Sequence, residues 1–232
     1  MSGADRGGAK RFLVDNGLTL CFLALTLAAL VGQAVSGLAL YNDDQVAQGA
    51  RTVSMADYLT SSSFAVDVAE NWQSEYLQFF LYIFVTVWLI QRGSPESKEP
   101  GKQGTESDEE QHVGGHAGPG APRWARVGGL RGGLYARSLG LVMGVVFLLS
   151  WLTQSVAGWA AYNSEQLAER EDTVGWLQYL GAPEFWNRTL QNWQSEFLAV
   201  ASMAVLSIYL RQRGSPESKP VGSPHRATGV EG

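Results

Sequence analysis

The chain has 232 residues, 45% of them hydrophobic, and a formal net charge of −5 at pH 7. That acidic balance, with basic residues confined to polar flanks, excludes the electrostatic footprint of a nucleic-acid binder. The single cysteine, Cys21, leaves neither an intramolecular disulfide nor a cysteine-based zinc site to build.

A mean hydropathy near zero averages over very apolar and very polar segments. Residues 1–16 form a polar start carrying Arg6, Lys10 and Arg11. The uncharged run from Gly17 to Leu40 would rise about 36 Å as a helix, enough to cross a bilayer. The next apolar run, Tyr76 to Gln91, falls short of the roughly 20 residues a crossing takes, so its helix must borrow from the preceding NWQSE. Spans are expected at 17–40 and about 72–91. Residues 99–137 are rich in Gly, Pro and Glu and too poor in apolar residues to make a core, which predicts a disordered linker. Its His112 and His116 have helical metal spacing, but glycines separate them and no carboxylates surround them, so they are read as solvated. Spans at about 139–161 and 193–212 follow, then a tail over 220–232.

A shift of 121 residues lays 17–98 over 138–219 without a gap, and about 31 of 82 positions are identical. That is an internal duplication. It also argues against a cleaved signal peptide at the N-terminus, because the counterpart of the first run lies mid-chain. NWQSE (71–75 and 192–196) and QRGSPESK (91–98 and 212–219) recur whole. The fold class predicted is an all-α membrane protein, its four transmembrane helices forming two parallel tandem helical-hairpin repeats. Three Lys and Arg precede the first span, seven lie between Gln91 and Arg137 and four follow the last span, against one and two in the hairpin loops. The positive-inside rule puts both termini and the linker in the cytoplasm. In the outward loops, Tyr58, Trp176 and Tyr179 are expected to anchor in the headgroup layer, as are Trp72 and Trp193 at the outer ends of the second spans.

Inside the spans, Gln33, Gly37 and Tyr41 match Gln154, Gly158 and Tyr162, spaced by four along one helical face, which predicts a packing seam. Glu75 and Glu196 fall about one turn inside the outer hydrocarbon boundary, where an unpaired carboxylate is costly. A polar network of Gln33, Asn71, Ser74 and Glu75, with its copy Gln154, Asn192, Ser195 and Glu196, would satisfy them, through Gln33 to Glu75 and Gln154 to Glu196 contacts. In the octapeptide, Arg92 or Arg213 near a helix C-terminus, Gly93 or Gly214 in the left-handed region and Pro95 or Pro216 beyond it read as a helix stop. Glu96, Ser97 and Lys98, with Glu217, Ser218 and Lys219, are left without a role in that stop and form a candidate cytoplasmic contact motif.

With four spans and the NWQSE and QRGSPESK blocks in both halves, the chain resembles an uncharacterised family of bacterial inner-membrane proteins, a domain of unknown function. The resemblance implies a multi-pass location in the bacterial cytoplasmic membrane and supplies no activity. No phosphate loop, zinc signature or nucleophile elbow is present in the sequence, so no enzymatic activity and no cofactor are expected. The function expected is that of a structural or interaction protein, its partners being the lipid bilayer and either further copies of the chain or another membrane protein. The alternative is a small oligomeric channel or transporter using Glu75 and Glu196 for a cation or proton.

Overall fold

The computed structural model describes residues 3–230, whose regular elements are eight α-helices and two short 3-10 turns. These are α1 (Gly3–Asp15), α2 (Gly17–Ala47), α3 (Met55–Leu59), α4 (Ser62–Val85), α5 (Gly129–Ala136), α6 (Ser138–Ala168), α7 (Trp176–Tyr179) and α8 (Pro183–Tyr209). Two of them, α2 and α6, have 31 residues each and are long and apolar enough to cross a membrane. At 1.5 Å per residue each is about 46 Å long. Both outrun the expected spans, because YNDDQVA and YNSEQLA hold no Gly or Pro to stop a helix that has left the apolar run. Each then ends in the same device: a left-handed residue, Gly49 (φ 75°) or Arg170 (φ 65°), lets the following N–H reach back to Gln45 O at 2.8 Å or Gln166 O at 2.7 Å.

The chain divides into two compact units, one comprising residues up to Ala65 with Ala160–Thr173, the other Val66–Trp159 with Val174–Gly232. In the first, α3 opens on a capping box in which Asp57 N–H donates to Ser54 Oγ and Ser54 N–H to Asp57 Oδ2. Those hydrogen bonds from Ser54 hold the Asp57 carboxyl below its usual value. The α3 helix is tied to α2 by Asn42, whose amide donates to Val53 O and accepts from Val53 N–H. Tyr58 lies over Gly37, where any Cβ would collide with its hydroxyl.

In the second unit α6 packs against both α4 and α8. Its buried residues are Phe147, Ser150, Gln154, Ser155 and Gly158, so Gln154 and Gly158 of the expected seam face inward, whereas Tyr162 is half-buried and α2, which carries Gln33, Gly37 and Tyr41, has no buried residue. Gly144 admits the Phe80 ring, and Gly158 admits Val66 and the Tyr179 hydroxyl, which would stand 2.5 Å from an added Cβ. The Trp151 ring stacks on Phe185 and tilts against Trp193.

Several expectations need correction. Tyr58 and Tyr179 are 3% and 1% exposed, so each is a core side chain seated in a glycine notch rather than a headgroup anchor. Trp193 likewise packs inward, while Trp72 stays exposed. The helices α4 and α8 stop at Val85 and Tyr209, short of Gln91 and Gln212. At the end of α8 the backbone turns extended at Leu210, and the Arg211 guanidinium donates to Ser207 O, Ile208 O and Leu210 O. After α4, residues 86–88 turn, and Val87 O accepts from Gly104 N–H in the following segment. Within 99–137, expected to be disordered, lie both 3-10 turns (Gly114–His116 and Arg123–Arg126) and α5.

Candidate functional site

Polar side chains gather in two places in the second unit. At the start of α8, Arg188 donates to Glu184 at 2.8 Å and to Glu70 at 3.2 Å, with Asp67 at 3.6 Å. The two helices pair here because Asp67 on α4 is met by Arg188, 121 residues further on, on α8. These side chains, with Asn187, Gln191, Asn192 and Ser195, line a cavity of about 590 Å³. One guanidinium serves three carboxylates, and that shortage sets the electrostatics. Burial opposes the charge on Arg188, yet the Glu184 hydrogen bond and the carboxylates around it raise its pKa. For Glu70 and Asp67, burial outweighs the shared arginine, and both carboxyls titrate above their ordinary values. Among the described residues no three His, Cys, Asp or Glu side chains converge to hold a metal ion.

One turn further along lies a buried polar layer. Gln73 is 0% exposed; its amide donates to Glu70 O at 3.0 Å and its carbonyl accepts from Trp193 Nε1 at 2.7 Å. Gln154, 1% exposed, donates to Thr189 Oγ1 at 3.4 Å, leaving its own Oε1 without a partner. The network expected from the sequence is thus differently wired. Gln154 reaches Thr189 rather than Glu196. The amides of Asn71 and Asn192 donate to the carbonyls of Asp67 and Arg188, and the hydroxyls of Ser74 and Ser195 to those of Asn71 and Asn192, all one turn back on their own helix. Short polar side chains on a helix find that carbonyl first. Gln33 belongs to the first unit and Glu75 to the second. Gln73, Thr189 and Arg188 were missed; the buried ones sit in blocks that read as interfacial, and only the Asp-for-Arg exchange at positions 67 and 188 was a usable signal.

The octapeptides form the second polar assembly, and both fold alike. Gln91 N–H donates to Ser97 Oγ at 2.8 Å, and Gln212 N–H to Ser218 Oγ at 2.9 Å. Each serine hydroxyl donates in turn to the next carbonyl, Lys98 O or Lys219 O, at 3.2 Å. Gly93 (φ 92°) and Gly214 (φ 81°) occupy the left-handed region, as the sequence requires. Of the candidate contact motif, Ser97 and Ser218 are therefore buried in the loops' own hydrogen bonds, and Lys219 is buried against Gly93 and the C-terminal tail. Glu96 accepts from the Tyr82 hydroxyl, and Lys98 donates to Gly104 O at 2.7 Å and pairs with Glu106. Glu217 is exposed, its N–H donating to Ser215 Oγ.

These features define an all-α protein with two helices of membrane-crossing length and a polar belt near one end of the α4 and α8 pair. The chain belongs to the domain of unknown function DUF6766, whose family model matches residues 9–230. No curated protein and no solved structure matches it.

Proposed function

We propose that the chain is a four-span protein of the bacterial cytoplasmic membrane, built by duplicating a two-helix hairpin, and that it acts there as a structural or interaction protein rather than an enzyme. The observation that carries this reading is the surface of α2 and α6. Leu18, Phe22, Leu27 and Val31 on α2, and Val142, Val145, Leu148 and Leu149 on α6, are all exposed. Apolar surface on that scale calls for lipid or another protein around it. The other two spans lie within α4 and α8, from about residues 72 and 193 onward. Duplication is supported by helix bounds as well as letters: α6 and α8 begin 121 residues after α2 and α4. The distribution of Lys and Arg favours cytoplasmic termini and linker, which leaves the Arg188 cluster on the outer side.

Topology is tested by single cysteines in a Cys21→Ser background. Gln48→Cys should react with an impermeant maleimide in intact spheroplasts, and Thr105→Cys only after permeabilisation; equal labelling of both, or extraction of the chain from membranes by carbonate, overturns the reading. Crosslinking in native membranes tests the role, and reproducible recovery of one foreign membrane protein supports it. The channel alternative draws on the sequence: Glu75 and Glu196 are matched carboxylates expected at membrane depth. Liposomes should then show cation or proton flux that Glu75→Gln with Glu196→Gln abolishes, and wild-type liposomes without flux would remove that alternative.

A further inference from the structure

The two octapeptides differ in how the final lysine is neutralised. Lys98 in the first copy has a carboxylate, Glu106. Lys219 in the second, 1% exposed, has none among the described residues; its Nζ donates to Gly93 O at 2.5 Å, His225 O at 3.0 Å and Ala227 O at 3.1 Å. Carbonyls use up its three donors but leave a whole positive charge in place. Burial, and next the Arg211 charge, push the Lys219 pKa down, as expected of a cation lacking a counter-ion. Beside it opens a cavity of about 310 Å³, lined by Gln212, Arg213, Gly214, Ser218, Lys219, Pro220 and Val221, with no carboxylate in its wall. Arg213 is exposed, and no hydrogen bond or ion pair occupies its guanidinium among the described residues. From Arg211 to Gly229 the chain carries Arg211, Arg213, Lys219 and Arg226 against Glu217 alone.

We infer that this cavity binds a phosphate group, held by the Arg213 guanidinium in the field of Lys219 and Arg211, where the first copy uses the carboxylate of Glu106. A planar guanidinium matches phosphate oxygens with paired hydrogen bonds. The cavity begins three residues beyond the end of α8, flanked by exposed Tyr209, Leu210 and Val221. On the membrane reading above, on which the choice of ligand source rests, that is headgroup depth, and the phosphate is that of an anionic phospholipid.

The test uses the duplication as its own control, because Arg213→Gln and Arg92→Gln remove the same charge from equivalent, exposed positions. Full-length protein in nanodiscs of phosphatidylcholine, with and without phosphatidylglycerol, is examined by native mass spectrometry for retained lipid. A parallel arm measures the thermal shift produced by inorganic phosphate in detergent. Wild type and Arg92→Gln should retain phosphatidylglycerol alike, and Arg213→Gln should bind it about fivefold more weakly, the worth of one cation at a membrane surface. A phosphate shift lost only in Arg213→Gln, without preference for phosphatidylglycerol, assigns the site to free phosphate; it stands even if the membrane reading fails. Equal retention and equal shifts in wild type and both variants overturn the inference, as does an equal loss in the two variants.

Discussion

The two copies of QRGSPESK share eight letters and an internal fold but have different surroundings. The first is covered: Thr228 Oγ1 accepts from Gly93 N–H at 2.8 Å, Gly229 N–H donates to Ser94 O at 3.1 Å, and the lysine of the second copy donates to Gly93 O. The second copy has most of its residues exposed and keeps only its last two buried. An identical peptide therefore serves as the floor on which the C-terminal tail is laid in one case and as the anchor of that tail in the other. The serine and glycine contacts are written into the letters, whereas the lysine's partner depends on what the chain brings near.

Four measurements break or sharpen that contrast, all read as changes in thermal or denaturant stability of the solubilised chain. The largest difference is expected between Gly93→Ala and Gly214→Ala. Both add a Cβ to left-handed backbone, at about 1 kcal/mol. At Gly93 that atom would also stand 2.5 Å from His225 O, while at Gly214 nothing lies within 4 Å. Gly93→Ala should cost about 3 kcal/mol in all, and equal costs would mean the tail does not lie on the first loop. Next, Lys219→Met should cost about 2 to 3 kcal/mol, because buried carbonyls lose a charged donor. Lys98→Met, in a partly exposed pair, should cost under about 1 kcal/mol; the reverse order would refute the carbonyl cage. Ser97→Ala and Ser218→Ala should each cost about 1 kcal/mol and differ little, since each removes the same acceptor from the same N–H. A large inequality would show that the loops do not share an internal fold.

The smallest effect concerns the Arg188 cluster. Burial raises Glu70 above its ordinary 4.5, so the folded chain takes up a proton before the unfolded one does. Its contribution is fully present below pH 4.5 and is lost as pH rises through the raised value. Wild type should gain stability on acidification from neutrality toward that range, and Glu70→Gln should flatten the gain. An unchanged slope in the variant would assign it elsewhere, with Asp67 the next position to replace.

Much of the fold was legible because its causes are local. Composition and the four-residue spacing placed α2 and α6, and on α6 the inward face through Ser150, Gln154 and Gly158. The left-handed glycines at 93 and 214 followed from the cost of that backbone conformation to a residue with a Cβ. The site was less legible. Gln154 could be recognised as a polar residue in an apolar run, but its choice of Thr189 over Glu196 depends on the rotation of α8 against α6. Nothing in the spacing of either segment encodes that rotation.

The sequence by itself determined the long apolar helices and the left-handed glycine turns of the octapeptides, because each follows from residues close to the backbone they govern. Tertiary structure alone decided that Tyr58 and Tyr179 fill glycine notches, that Asp67 and Arg188 meet, and that Gly93 O accepts from Lys219. In each case the partner is distant along the chain, and the energy that selects it, burial against hydrogen bonding and charge, exists only once the helices have packed.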